Sequence, residues 1–558
     1  MTHQSIRQQI EEVKEDKESF IDLSNQMLEH FPVELLDCPD LEEIILQNAE
    51  HLNQAGIEDG WNRIYMIPPL AGKLPKLALL DLRGNPIEEL PNVYGLFLDW
   101  EIYVQLQDTL SPENIVGIRL NDGAYIPPSL AHFPNLRELD MSGLGLTELP
   151  EGLSYVAQIE SLDLSRNELS ELSEEIDCLT NLVTINLSKN RFDCVPQELA
   201  GLPELEMLTL SWNQLEKVNA AITQLPNLHS LDLSWNHLAR IDKALTRLSQ
   251  LSYLNLSGNH LQHVPEGIGA WISLSLLDLS GNAIEQLPHS LGQLSRLKVL
   301  LLDDNKLTSL PDSLCQLAQL DSLNLHTNLL SQLPENFTQL QELTFLHLAY
   351  NRLREVPPQL FELVQLELLH MNHNFIRVVS GDIQRLSQLT FLSLSHNQLK
   401  ELPEEIGMLA QLHYLHIDQN RIKELPNLPK SLQVLETGTN YIWELPESFF
   451  GLTELQHLNL RNNRLAELPE SIGQLLHLRF LNLSRNRLAE LPEALSELLE
   501  LETLDLRYNR LKEIPEHLQQ LEQHSKLDFG QETQVRFFLL SLLLTNWKLF
   551  DRFFGEQK

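Results

Sequence analysis

The chain has 558 residues, 42% of them hydrophobic but only 6% aromatic, and 40 basic residues against 78 acidic ones leave a net charge of −38. Such an acidic composition argues against a general affinity for nucleic acid or anionic membranes, because both need a basic field to displace counterions from phosphate. Length alone would suggest roughly three or four globular domains, but self-similarity along the chain predicts one repeat structure with leucine carrying the burial.

Residues 1–20 read as an amphipathic helix that caps the first coil, and their charged sequence lacks the apolar core of a signal peptide. Residues 21–150 carry irregular repeats. Strands are expected at Ile21–Leu23, Ile44–Leu46, Leu80–Leu82, Ile118–Leu120 and Leu139–Met141. Two of these coils are long: Leu46 to Leu82 spans 36 residues and Leu82 to Leu120 spans 38. The first surplus, around residues 52–64, reads as a loop. The second, around residues 92–110, reads as a longer helix on the outer face. Both are candidate functional protrusions, or simply drift in weakly constrained repeats.

From residue 151 to 525 the repeats become regular. Asparagines recur every 23 residues at Asn167, Asn190, Asn213, Asn236, Asn259, Asn282, Asn305, Asn328, Asn351, Asn374, Asn397 and Asn420. After one step of 20 the series resumes at Asn440, Asn463, Asn486 and Asn509. Each sits in L-x-x-L-x-L-x-x-N-x-L, as in LETLDLRYNRL. The L-x-L element has the two-residue period of a strand with one buried face, so Leu162, Ile185 and Leu208 should stack as one column of a parallel sheet. The asparagine is expected to turn inward and satisfy backbone groups of neighbouring coils, since such groups are costly to leave unpaired. Leu-Pro then ends the strand, as at Leu402-Pro403, and a short helical stretch closes the coil. Five irregular and sixteen regular repeats give about 21 coils. Thr437 replaces a leucine in the 20-residue coil and predicts a local irregularity there. Residues 526–558 read as a C-terminal helical cap. Their apolar run Phe537–Leu544 is too short to span a bilayer, which takes roughly 20 residues.

Residues flanking the buried leucines should face outward in columns. One column brings Tyr253, Phe345, Phe391, Tyr414 and Phe480 to that surface, either as a binding row or covering one another. Trp212 and Trp235, then Tyr350, precede ladder asparagines and make a candidate hot spot or a shield for the core edge. His347 and His370 share a register position. A metal would need further ligands, and no metal is expected. Arg461, Arg485 and Arg507 line the C-terminal end, opposite in charge to Asp278, Asp303 and Asp304, and could orient a partner. Four scattered cysteines, with neither paired nor metal-ligand spacing, point to a reducing, cytoplasmic setting.

This repeat resembles the leucine-rich-repeat superfamily, in its 23-residue cytosolic form as found in Ras-binding scaffolds, plant intracellular Ras-group-related proteins and Roc-COR GTPases. The 20-residue unit is similar to repeats of bacterial effectors such as YopM and the IpaH ligases. The resemblance implies an α/β solenoid with a concave parallel β-sheet and short helices or turns on the convex side. It implies a protein-binding scaffold in intracellular signalling, with a bacterial effector or a regulatory subunit of a phosphatase, kinase or GTPase as the second reading. No nucleotide loop and no room for a ligase domain is found, so no enzyme activity and no cofactor are expected. A homodimer through the concave face is compatible with the sequence.

Overall fold

The computed structural model describes residues 125–511 without interruption, 96–107, 110–121 and 526–528, and before residue 96 the segments 17–24, 31–46 and 79–83 with isolated positions between. The described chain falls into two compact units, Met1–Leu343 and Thr344–Lys558. Each is a stack of coils in which a short strand pairs in parallel with the strand of the next coil.

In the first unit fourteen strands follow chain order: β1 (Phe20–Asp22), β2 (Glu43–Ile45), β3 (Leu79–Asp81), β4 (Leu96–Asp99), β5 (Ile115–Arg119), β6 (Glu138–Asp140), and β7 to β14 at 23-residue steps from Ser161–Asp163 to Ser322–Asn324. The register is constant, with Leu162 opposite Ile185 and Leu231 opposite Leu254. The second unit continues the pattern from β15 (Phe345–His347) to β22 (Thr503–Asp505) and β23 (Lys526–Asp528). The central residue of each regular strand is 1% exposed or less, from Leu162 to Leu323 and from Leu346 to Leu504. Each such leucine contributes about 1.5–3 kcal/mol by leaving water.

The asparagines do what their position predicts. Asn236 Nδ2 donates to the carbonyls of Leu210, Leu233 and Ser234, while its Oδ1 accepts from the Leu215 N–H. One side chain thus ties the exits of adjacent strands. A second device, unexpected from the sequence, sits at the third strand position. Asp163, Asn186, Asp232, Asn255, Asp278 and Asn482 each accept from the backbone N–H two residues on. These Asx turns explain the recurring Asn-x-Ser strings at Asn255 and Asn482 as strand-end caps.

After the strand exit, proline sets extended backbone and a 3-10 turn closes most coils, as in Glu404–Met408 after Pro403 and Glu470–Gln474 after Pro469. The return segments are therefore 3-10 rather than α-helical. The short spacing between leucines there suits the tighter turn.

Several expectations change in detail. The surplus around 92–110 is not one long helix: it contributes strand β4 to the sheet, followed by a helix, α1 (Trp100–Leu106). Tyr103 of α1 packs edge-on against Phe133, with ring centroids 4.9 Å apart. The other surplus coil carries its ladder asparagine late. Asn62 Nδ2 donates to the carbonyls of Leu23 and Leu46, and its Oδ1 accepts from the N–H groups of Gln26 and Leu28. Asn62 lies 23 residues before Asn85, so the insertion falls between strand exit and ladder. Ala49, which the repeat spacing counted forward from Ile44 puts at the asparagine position, lies outside the described residues, as does most of 52–64.

Of the expected N-terminal cap, residues 1–20, Ile6, Gln9, Ile10, Val13 and Lys14 are described and helical, whereas residues 17–19 are not helical and Phe20 opens β1. Ile6, Ile10 and Val13 are buried, a spacing that puts them on one helical face. Within the expected C-terminal cap, Lys526–Asp528 pairs as a strand with Thr503–Asp505, and the remainder lies outside the described residues.

The 20-residue coil holds no irregularity in its strand. Val434–Glu436 pairs in register on both sides, and Asn440 still donates to the carbonyls of Ile417 and Thr437. The three missing residues come from the return segment. Thr437 is fully buried, and its Oγ1 has no hydrogen-bond partner. A buried hydroxyl left unpaired is destabilising, so Thr437→Val should raise stability by about 1 kcal/mol. Urea denaturation of the two proteins measures it, and a variant less stable than wild type would disprove this account of the hydroxyl.

Candidate binding face

The residue before each ladder asparagine adopts positive φ, which turns its side chain out of the coil. In the first unit this slot holds Lys189, Trp212, Trp235, Gly258 and Gly281 in succession, with φ between 54° and 62°. Trp212 and Trp235 stack with ring centroids 4.6 Å apart and planes 9° from parallel. They remain 50% and 52% exposed. Lys189 Nζ lies 5.9 Å from the Trp212 ring centroid. On the other side Trp235 packs on Gly258, where a Cβ would come within 2.7 Å of the indole. The glycine both adopts φ of +62° and leaves the ring its seat. The pair is thus held rigidly while half its surface faces solvent.

Tyr253, in the strand column beside it, is half-buried. Burial is the main cause that pushes its phenol well above the usual range, and Asp232 adds to it. The acids of the neighbouring columns are also strained towards protonation. Burial raises Asp163, Asp232 and Asp278 above the ordinary carboxylate range. Burial, then Asp278 and Asp304, lifts Asp303 to about 6. Towards the start of the unit, Asp140 accepts from Arg119 Nε at 2.9 Å, and Asp81 pairs with Arg83 at 2.7 Å. Burial opposes the Asp140 charge, but Arg119 and Arg83 outweigh it and hold the carboxyl below its ordinary value.

In the second unit, the predicted aromatic column is largely self-covering. Phe345 and Phe391 are 8% and 7% exposed, so they do not form the solvent-facing row that was one reading of the sequence. They close against histidines of the next column: Phe345–His370 at 5.8 Å, His370–Phe391 at 4.5 Å and Phe391–His416 at 5.0 Å between centroids. His347 and His370 lie 4.6 Å apart, ring to ring. Tyr414 is half-buried beside Phe391, and half-buried Phe480 stacks on His457 at 4.1 Å. Among the described residues no group of three or more His, Cys, Asp or Glu side chains is placed to hold a metal ion.

Tyr350, 47% exposed, begins a stack in the positive-φ slot: Tyr350–His373 at 3.9 Å and His373–His396 at 3.8 Å. On the strand of the 20-residue coil, Glu436 accepts from His457 Nε2 and Asn459 Nδ2, each at 2.7 Å. Burial opposes the Glu436 charge, yet His457 and His416 hold its carboxyl below the usual range. Burial depresses His416. Of the three expected arginines, Arg461 and Arg485 are exposed and Arg507 pairs with Asp505 at 2.8 Å. Sequence reasoning missed Lys189, Glu436, His457 and Tyr441; the constant register, which puts Lys189 beside Trp212, could have found the first.

Among curated proteins no match is found. The family description "Leucine-rich repeat region" matches residues 241–328 and 468–544, and "Leucine rich repeat" matches 134–192, 160–215, 341–399 and 430–488. Among solved structures the chain is similar to a leucine-rich-repeat protein of Leptospira interrogans, at 32% identity and a TM-score of 0.62, covering 73% of this chain and 99% of that one. It is also similar to the plant peptide hormone receptor RGFR1, solved with RGF2, at 26% identity, TM-score 0.59, and coverage of 95% and 89% respectively. The functional domain of InlJ from Listeria monocytogenes matches at 25% identity and a TM-score of 0.51, covering 63% of this chain and 75% of that domain. With the asparagine ladder, the parallel strands and these matches together, the chain belongs to the leucine-rich-repeat superfamily.

Proposed function

We propose that the chain is a protein-binding scaffold that presents the outward face and rim of its sheet to a polypeptide partner. The observation that carries this reading is the Trp212–Trp235 pair. Two stacked indoles, half exposed and fixed between Lys189 and Gly258, lose little conformational freedom on binding and bury much area, the properties of an interface hot spot. The relative RGFR1 is described with a peptide hormone, which supports a polypeptide ligand. The reading contains no catalytic step. We further place the scaffold in the cytoplasm, in signalling; the four cysteines, all free thiols, fit a reducing compartment.

The test compares wild type with the Trp212→Ala, Trp235→Ala double variant in affinity capture from the cell's soluble extract. Loss of both rings should lower recovery of a stoichiometric partner by roughly tenfold or more. Circular dichroism should meanwhile show an unchanged fold, because both side chains project outward. Equal recovery by the two proteins would remove the tryptophan pair from the binding surface.

A further inference from the structure

Three consecutive coils of the second unit each place two arginines where the chain leaves its strand: Arg461 and Arg464, Arg485 and Arg487, Arg507 and Arg510. Among the corresponding segments of the regular first-unit coils none holds two: Ser165–Glu168 and Ser188–Arg191 hold one each, Arg166 and Arg191, and the others, such as Ser257–His260 and Ser280–Ala283, hold none. Five of the six are exposed and Arg507 is half-buried. Arg507 is spent on Asp505 at 2.8 Å. Among the described residues, Arg461, Arg464, Arg485, Arg487 and Arg510 have no carboxylate within 4.0 Å. The exposed Glu467 and Glu490 of the same coils lie outside that range. Two of the arginines are braced. Arg464 lies over the Tyr441 ring at 4.3 Å, and Arg485 over Tyr508 at 4.9 Å. On a chain of net charge −38, five guanidinium groups without a carboxylate partner among the described residues thus gather where three successive strands end.

We propose that this arginine rim docks a short acidic peptide segment through its carboxylates. The guanidinium fork matches a carboxylate with two parallel hydrogen bonds. Adjacent parallel strands are about 4.8 Å apart, so three coils span about 10 Å. An extended peptide repeats its side chains on one face about every 6.7 Å, which sets two same-side carboxylates over the rim. A nucleic acid strand fits less well. Stacking of bases needs free aromatic faces, and an arginine already occupies a face of both Tyr441 and Tyr508. A longer polyanion would also run onto the acidic remainder of the surface. The rim belongs to the second unit and shares no residue with the tryptophan pair of the first, so its failure would leave that proposal untouched.

Fluorescence anisotropy with the full chain provides the test, using a labelled peptide of alternating serine and glutamate at low ionic strength. Saturable binding is expected, weakening as salt rises and absent when glutamine replaces glutamate in the peptide. The variant carrying Arg461→Gln, Arg464→Gln, Arg485→Gln and Arg487→Gln should bind roughly tenfold or more weakly. Unchanged affinity of that variant, no saturable binding by wild type, or tighter binding of a single-stranded DNA oligomer of equal charge would overturn the proposal. Should the variant fail to fold, wild type still decides the matter: a benzophenone-bearing form of the peptide must label residues between Tyr441 and Arg510, and labelling elsewhere refutes the assignment.

Discussion

Asn236→Ala should cost about 3 kcal/mol and open the middle of the first unit before its ends. The side chain is 2% exposed and makes four hydrogen bonds, all to main-chain groups of its own coil and the one before it. Alanine leaves the Leu215 N–H without its acceptor and removes a donor from three carbonyls. Each buried group so stranded costs about 1–3 kcal/mol, offset where a carbonyl keeps another partner. In a solenoid each coil touches only its neighbours, so the damage should stay local. Urea denaturation gives the magnitude, and hydrogen exchange at Leu215 gives the place. Asn509→Ala is the natural comparison: among the described residues the half-buried Asn509 donates to two carbonyls and accepts from the Leu488 N–H, one donated bond fewer than Asn236, so its loss should cost less, about 2 kcal/mol. If the two substitutions prove equally mild, the ladder does not hold the coils together.

The second large effect concerns pH. Asp303 titrates at about 6 in the folded chain, against about 3.9 for a free aspartate. The folded state therefore binds the proton more tightly than the unfolded one. The stability associated with this group is fully present below about pH 4 and is lost as pH rises through about 6. Asp303→Asn keeps the acceptor oxygen that receives Asn324 Nδ2 at 2.9 Å while removing the charge. The variant should gain about 2 kcal/mol at neutral pH and almost nothing near pH 4. Asp163, Asp232 and Asp278 are raised in the same direction, so the first unit should be unusually tolerant of mild acid. Denaturation midpoints of both proteins across that range check the sign, and a neutral-pH loss of stability in the variant would contradict it.

The repeat was legible because its two signals are local and redundant. The strand period and the asparagine spacing each repeat many times, so a single ambiguous coil does little harm. Residues such as Leu162 and Asn236 could be assigned a direction from spacing alone. What was not legible depends on lateral neighbours. Phe345 and Phe391 occupy outward positions, yet the histidines one column over cover them, and period-2 reasoning carries no information about that covering. Asn62 was overlooked for a different reason. Its coil was counted forward from the strand, through an insertion, whereas counting back from Asn85 finds it. The strand β4 was hidden because Leu96–Asp99 passes directly into α1, and a strand without its own asparagine offers no period to follow. The Trp212–Trp235 contact was readable from register, but its rigidity was not, since that depends on Lys189 and Gly258 on either side.

Asn62 and the 20-residue coil carry one further consequence. In one coil thirteen extra residues precede the ladder asparagine, and near the other three are missing from the return segment between Asn420 and Val434; the strands on either side nevertheless keep register. Length and alignment are therefore independent variables in this chain. Tags, reporter loops or foreign epitopes of considerable size can be grafted between a strand exit and its asparagine, and small excisions made in a return segment, without shifting any outward-facing residue elsewhere. The same independence gives natural variation a route to new protrusions that leaves the existing surface unaltered.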